Sequence, residues 1–304
     1  MTIAVSRPFS TKEVLKGYLA LTKPRIIELL LVTTVPTMIV AARGIPSLWL
    51  ILDTLIGGTL AAAGANAFNM VLDRDIDAIM ERTKQRPLVR GVMSPRAATI
   101  FAFALEVVAF TVLALWVNLL SAWLAVAAML FYVFVYTIWL KRRSKQNIVI
   151  GGAAGAVPTL VGWAAVTGTL TWTPVLLFLV VFIWTPPHFW ALAVRYRDDY
   201  SAAHVPMMPV VASLRRTTLE ILVYTVIMWA LTVLIGPIAH FGWIYAISSM
   251  VFGGLFTFYA LRLFRHAVHD RADAGEAMRL FHFSVTYLTA LFVLMAVDVL
   301  VQYH

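Results

Sequence analysis

Nine runs of apolar residues, separated by short polar or charged stretches, account for most of the chain. Their approximate bounds are 26–42, 50–72, 97–116, 119–140, 148–167, 173–195, 218–238, 243–263 and 282–303. Each approaches the roughly 20 residues that a helix needs to cross about 30 Å of hydrocarbon. A segment in lipid must satisfy its own backbone hydrogen bonds, so runs of this length read as helices. The expected fold is an all-α membrane protein of nine transmembrane helices. The first run is the shortest, and Pro24 and Pro36 restrict where it can be regular.

The charged positions orient the bundle. Of 24 Lys and Arg, all but Arg43 fall in the first 25 residues or in the connections 73–96, 141–147, 195–217 and 262–281. The connections around Asn118, Thr169 and His240 carry none. Basic residues gather on the cytoplasmic side, so the N-terminus and the charged connections are expected there and the C-terminus outside. Residues 1–25 lack an apolar core followed by a small-residue cleavage site. They read as a cytoplasmic leader with a short amphipathic helix at the membrane surface. Residues 26–304 then form a single transmembrane domain. Long charged connections recur four helices apart, which suggests a weak four-helix internal repeat plus one helix around a central cavity.

The first of these connections carries the chemistry. In ANAFNMVLDRDIDAIMERTKQRPL (65–88), Asn69, Asp73 and Asp77 recur every fourth residue. Two steps of this kind cover an arc of about 80° on a helix, which stacks an amide and two carboxylates on one face. A helix end emerging into water explains Asp75 and Asp77, because acids are well hydrated there. It explains Asn69 and Asp73 less well, since an acid within the membrane costs about 2.5–3.5 kcal/mol even on the lenient scale. Carboxylates so close repel, and a cation between them relieves this. Oxygen-only donors favour Mg2+, which keeps several waters and uses one or two carboxylates plus phosphate oxygens. Arg82, Lys84, Arg86, Lys141 and Arg142 stand nearby as anion-binding candidates, Arg as a bidentate fork and Lys as a point charge. At least half of the KRRSK run (141–145) is accounted for by membrane anchoring.

Composition narrows the function class. The 61% hydrophobic and 13% charged residues exclude an ordinary soluble domain. With no cysteine, disulfides, thiolate metal sites, iron–sulfur clusters and cysteine nucleophiles are excluded. The net charge of +9 is absorbed by topology and anions, and nucleic acid is not required.

A second charged cluster follows the sixth run, in WTPPHFWALAVRYRDDYSAAHVPMMPV (184–210), where Arg195, Asp198 and Asp199 occupy i, i+3 and i+4. The repeat would bring it opposite the first. His188, after Pro186 and Pro187, is either a hydrogen-bonded packing residue or a haem-iron ligand, since neutral imidazole serves both. Glu106, near mid-depth of the third run, is paired, protonated or functional. Trp184, Phe189, Trp190, Tyr132, Phe134 and Tyr136 are mostly packing residues, and those facing a cavity can stabilise an allylic cation.

These residues together resemble the UbiA superfamily of intramembrane aromatic prenyltransferases. The resemblance rests on Asn69–Asp73–Asp77, LTKPRI near Lys23, ERTKQRPL ending at Leu88, KRRSKQNIVIGG, and WTPPHFWALAVRYRDDY with its downstream VPMMPV. The last stretch, PHFW followed by RYRDDY and the downstream VPMMPV, is similar to the haem-farnesylating subfamily. Many relatives carry a second D-x-x-x-D, whereas here Arg195 stands four residues before Asp199. The resemblance implies a nine-helix bundle in the bacterial inner membrane, with a cavity open to lipid. It implies farnesyl diphosphate bridged by Mg2+ to Asn69, Asp73, Asp77, Asp198 and Asp199, with Arg82, Lys84, Arg86, Lys141, Arg142 and Arg195 on the diphosphate. It implies Asp73, Asp77, Asp198 and Asp199 as the catalytic acids and haem b as the acceptor, with His188 a candidate haem contact. A downstream haem A synthase or oxidase assembly step would take the product. Two rivals are a quinone-pathway prenyltransferase acting on aromatic acids and a membrane transporter. A transporter would place its ionisable residues at mid-membrane on broken helices, whereas here they gather at one end.

Overall fold

The structure is a computed structural model that describes residues 9–269 and 274–303, apart from the side chains of 25–30. Residues 1–8 of the expected leader lie outside the described residues. The described chain is helical throughout: α1 (Thr11–Thr22), α2 (Pro24–Ala42), α3 (Leu48–Leu72), α4 (Arg74–Ile79), α5 (Pro95–Val117), α6 (Leu119–Leu140), α7 (Asn147–Thr167), α8 (Trp172–Arg195), α9 (Arg197–Ala202), α10 (Met208–Val211), α11 (Leu214–Ile238), α12 (Trp243–Val268) and α13 (Ala274–Tyr303). Among the described residues, eight helices are long and apolar enough to cross a membrane: α3, α5, α6, α7, α8, α11, α12 and α13. The first expected span is α2, which runs over 19 residues, Pro24–Ala42, with Pro36 inside it. The protein is an all-α, multi-pass membrane protein.

Local chemistry starts these helices where the pattern predicts. Ser10 and Glu13 form a reciprocal capping box on α1, and Ser47, Ser94, Asn118 and Ser213 accept backbone N–H bonds at the starts of α3, α5, α6 and α11. α12 begins at Gly242, which has no side chain to cap it. Its cap comes from α13 instead: buried Asp298 accepts from the N–H groups of Gly242 (2.6 Å), Ile244 (3.1 Å) and Tyr245 (3.2 Å). Asp298→Ala is expected to leave these donors unpaired, at about 1–3 kcal/mol per buried group. The measurement is a lowered thermal midpoint, with the activity of the folded fraction retained.

Small residues let helices approach closely, which matters in lipid because packing replaces the hydrophobic drive. α3 and α5 meet along Gly57, Ala61, Gly64, Ala98, Ala102 and Ala109, where Leu113 and Glu106 fill the space over Gly57 and Gly64. α2 meets α7 where Gly162 lies under the Thr34 carbonyl. A Cβ on Gly151 of α7 would stand 2.2 Å from the Tyr136 ring, so this glycine makes room for an aromatic side chain of α6. Gly151→Ala is expected to lower stability by about 1–3 kcal/mol through overpacking, read in a denaturation midpoint.

The halves of the chain carry matching features. Val35-Pro36-Thr37 in α2 is matched by Val157-Pro158-Thr159 in α7. α3 breaks at Asp73 into six-residue α4, and α8 breaks at Tyr196 into six-residue α9. α7 packs on both α2 and α8, while α13 bridges α8, α12 and α2. Exposed Trp49, Trp172 and Trp243 mark helix starts at the end opposite the charged clusters, where interfacial aromatics belong.

Candidate active site

Asn69, Asp73 and Asp77 do not share one unbroken helix. α3 ends at Leu72, and Asp73 (φ −92°, ψ 5°) is a hinge before α4. The backbone ladder nonetheless continues across the hinge, from Asp73 N–H to the Asn69 carbonyl (2.9 Å) and from Asp77 N–H to that of Asp73 (2.8 Å). The four-residue spacing therefore still stacks the three side chains. All three are buried, Asp73 completely.

Cations surround them. Asp73 Oδ2 accepts from Lys141 Nζ and from Asn69 Nδ2 (2.7 Å), while Arg142 Nη2 is 3.9 Å from Oδ1. Arg86 donates to Asp77 Oδ2 at 2.6 Å, across a loop that folds back so that buried Thr83 donates to the Asp77 carbonyl at 3.1 Å. Thr137 of α6 accepts from Asn69 Nδ2 at 3.1 Å. Asn69 Oδ1 accepts from Lys23 Nζ at 2.8 Å.

Lys23 is the contact that the spacing of acids does not reveal. It occupies the left-handed region (φ 51°) between α1 and α2, a strained place for a non-glycine residue. That turn swings its side chain into the acids. Burial, then the charges of Arg86 and Lys141, hold its ammonium down at about 7. The signals available in the chain were its position before Pro24 and its place in the LTKPRI stretch.

The other predicted cations divide. Arg142 is bidentate to exposed Asp75 (2.6 and 2.7 Å), and that bond holds the Asp75 carboxyl at about 2. Lys84 pairs with exposed Glu81 and contacts none of the buried acids. Arg82 reaches the second cluster: its N–H donates to Asp199 Oδ2 (3.1 Å), and its guanidinium lies over the Tyr196 ring (5.4 Å). The two clusters thus meet through Arg82.

The second cluster also departs from a single helix face. Arg195 ends α8, Tyr196 forms the break, and Asp198 and Asp199 follow on α9. Matched at the two breaks, Asp73-Arg74-Asp75-Ile76-Asp77 aligns with Tyr196-Arg197-Asp198-Asp199-Tyr200. Phenols thus stand where the first half has its buried carboxylates. Tyr200 is buried, and burial pushes its phenol up. Asp198 and Arg195 are exposed, and Asp199 is half-buried.

The donor set fits a hard divalent cation. Asp73 Oδ1 is buried without a hydrogen-bond partner, an acceptor beside a second buried carboxylate. Among the described residues no three acidic or histidine side chains gather around one point. An ion held there would have one or two carboxylates, leaving positions for water and phosphate oxygens. Arg86 and Lys141 cover the acidic oxygens and Lys23 the Asn69 amide oxygen, three basic side chains against two buried carboxylates, so the site attracts an anion as well as a metal.

His188 sits deeper on α8. Its Nδ1 is 2.7 Å from Ser284 Oγ, and its ring stacks between Trp184 (4.2 Å between centroids) and Phe281 (4.5 Å). Trp184 donates to the Ser284 carbonyl at 2.9 Å, which ties α8 to α13. Glu106 packs over Gly64 with Oε1 buried and unpartnered. Tyr132 and Tyr136 stack at 5.4 Å, one and two helical turns before the Lys141 end of α6.

Residues 30–296 match the UbiA prenyltransferase family. Protoheme IX farnesyltransferase of Streptomyces avermitilis is 51% identical over 298 residues, covering 96% of this chain and 95% of that protein. Protoheme IX farnesyltransferase 1 of Saccharopolyspora erythraea is 55% identical over 285 residues, covering 94% and 90%. Among solved structures, that of a digeranylgeranylglyceryl phosphate synthase superposes with a TM-score of 0.76 at 19% identity, covering 95% of this chain and 99% of that one. A UbiA homolog from Archaeoglobus fulgidus bound to GPP and Mg2+ gives 0.63 at 20% identity, covering 92% and 99%. At these identities the structural likeness establishes the fold.

Proposed function

Because this chain belongs to the UbiA prenyltransferase family, we propose that it transfers a farnesyl group from farnesyl diphosphate to a vinyl group of haem b, with Mg2+ as cofactor. The observation that carries this reading is the buried Asp73–Asp77 pair, with an unpartnered carboxylate oxygen and a ring of Lys23, Arg86 and Lys141. The haem acceptor is supported by the names of relatives about half identical over nearly the whole chain. The domain is residues 26–304, built from the four-helix repeat plus α13. The reading places the N-terminus and both charged clusters on the cytoplasmic side of a bacterial inner membrane. The haem product passes to a following haem-modifying or oxidase assembly step.

Asp73 and Asp77, with Asn69 beside them, would hold the metal, and Asp199 stands across the site on the second cluster. Mg2+ supplies charge neutralisation at the diphosphate oxygens. As the anion enters, Lys141, Arg86 and Lys23 exchange their carboxylate and amide partners for phosphate oxygens. The bond from farnesyl C1 to oxygen then breaks, its electron pair leaving with the diphosphate that these cations stabilise. Tyr132 and Tyr136, on the stretch of α6 leading to Lys141, offer π faces to the allylic cation. The vinyl π pair forms the new carbon–carbon bond. Water adds at the adjacent carbon and loses a proton, giving a hydroxyethylfarnesyl side chain.

The test is a mass measurement after incubating the purified protein with farnesyl diphosphate, Mg2+ and haem b. A product heavier by one farnesyl group and one hydroxyl group is expected, and chelation of the divalent ion is expected to abolish it. A prenylated aromatic acid under the same conditions, with haem unmodified, would make it a quinone-type enzyme.

A further inference from the structure

Three observations meet along α8. The first concerns the tautomer of His188. The Ser284 hydroxyl donates to the Phe281 carbonyl at 2.6 Å, so its only proton is already engaged. Its 2.7 Å contact with His188 must therefore be donated by Nδ1–H. The lone pair then resides on Nε2. No described residue bonds to Nε2, and it is not among the buried polar atoms sealed away without a partner. The Trp184 and Phe281 rings fix the plane of the imidazole.

The second observation is register. His188 and Arg195 are seven residues apart on the regular end of α8, after Pro186 and Pro187. Seven residues advance roughly 10 Å and return to within about 20° of the same face. The third is unneutralised charge. Arg195 and Arg82 lie 5.9 and 5.4 Å from the centroid of one Tyr196 ring. Neither makes an ion pair among the described residues. Two guanidinium groups drawn to one ring repel each other, and an anion with two carboxylates relieves both at once.

We infer that this face of α8 seats the acceptor: His188 Nε2 meets the metal at the centre of the porphyrin, and Arg195 with Arg82 takes its two carboxylates. The inference rests on the reading of the acceptor as haem. Ser284 is a positioning residue, acting through the tautomer it imposes on His188. The arrangement also divides the cations by substrate: Lys23, Arg86 and Lys141 serve the diphosphate, and Arg82 and Arg195 serve the acceptor.

The full chain in detergent micelles would be titrated with haem b, with its dimethyl ester and with metal-free protoporphyrin IX. Haem b is expected to bind at least about 10-fold more tightly than the ester, the loss typical of charge-assisted hydrogen bonds. In the Arg82→Gln/Arg195→Gln double variant that preference is expected to vanish, with ester affinity unchanged. Metal-free protoporphyrin IX is expected to bind more weakly than haem b. The absorption band of bound haem is expected to shift in His188→Ala and, less, in Ser284→Ala, with Ser284→Thr restoring it. Equal affinity of the unmodified chain for haem b and its ester overturns the inference without relying on any variant's folding. Bound-haem spectra unchanged in both His188→Ala and Ser284→Ala overturn it too. Absence of binding by all three porphyrins, with prenyl transfer to an aromatic acid, overturns the haem reading itself and the inference with it.

Discussion

Asp73→Asn is expected to lower prenyl transfer by about 100- to 1,000-fold, the scale of losing one charged group aimed at a transition state. The substitution keeps the size of the side chain and removes its charge. Asp73 is fully buried, so the change also leaves Lys141 without its counterion. An uncompensated buried charge costs about 3–5 kcal/mol, and a fall in stability alone would mimic lost chemistry. A second variant separates the two. Asp73→Asn with Lys141→Met removes both charges and is expected to recover most of the thermal midpoint while turnover stays well below that of Lys141→Met alone. If the double variant turns over as fast as Lys141→Met alone, Asp73 has a structural role only.

Lys23→Met is expected to raise the KM for prenyl diphosphate by about 10- to 100-fold, the equivalent of one charge-assisted hydrogen bond, with a smaller change in kcat. Lys84→Met is expected to leave KM within about twofold, because Lys84 pairs with exposed Glu81. Stability should move the other way. The folded-state value for Lys23 is about 7, against 10.5 for a free lysine. Between those values the unfolded chain binds the extra proton, so the stability of the unsubstituted protein rises as pH rises through that window. Below about 7 the destabilisation by the buried ammonium is fully present. Lys23→Met should remove this pH dependence and raise the midpoint most at pH 7 and below. A strained, charged residue that weakens the fold and serves a substrate is the usual form of a trade between stability and activity.

Much of this site was legible along the chain because the relevant rules are local. Asn69, Asp73 and Asp77 recur at a period set by helix geometry, and the hinge at Asp73 left that period intact because its backbone hydrogen bonds span it. Eight spans were readable because a bilayer demands long apolar runs. The first span was harder, since it is the shortest run and Pro24 and Pro36 interrupt its pattern. The break at Tyr196 was not legible in the i, i+3, i+4 spacing: Arg195 ends α8 and Asp198 and Asp199 follow on α9, with Arg195 and Asp198 exposed and Asp199 half-buried.

Membrane insertion, the eight long apolar helices and the stacked acids follow from the order of residues, since each depends on neighbours within a few helical turns. What the order of residues left open was which cation meets which acid. Lys141 lies 68 positions from Asp73, and Lys23 lies 46 from Asn69. Lys84, much closer in the chain, turns outward to Glu81. The tautomer of His188 likewise depends on Ser284, 96 positions away. Such pairings are set by which helix faces pack together, through small residues such as Gly64 and Gly162 and through strained turns such as that at Lys23. Close approach in three dimensions, which no local period encodes, decides them.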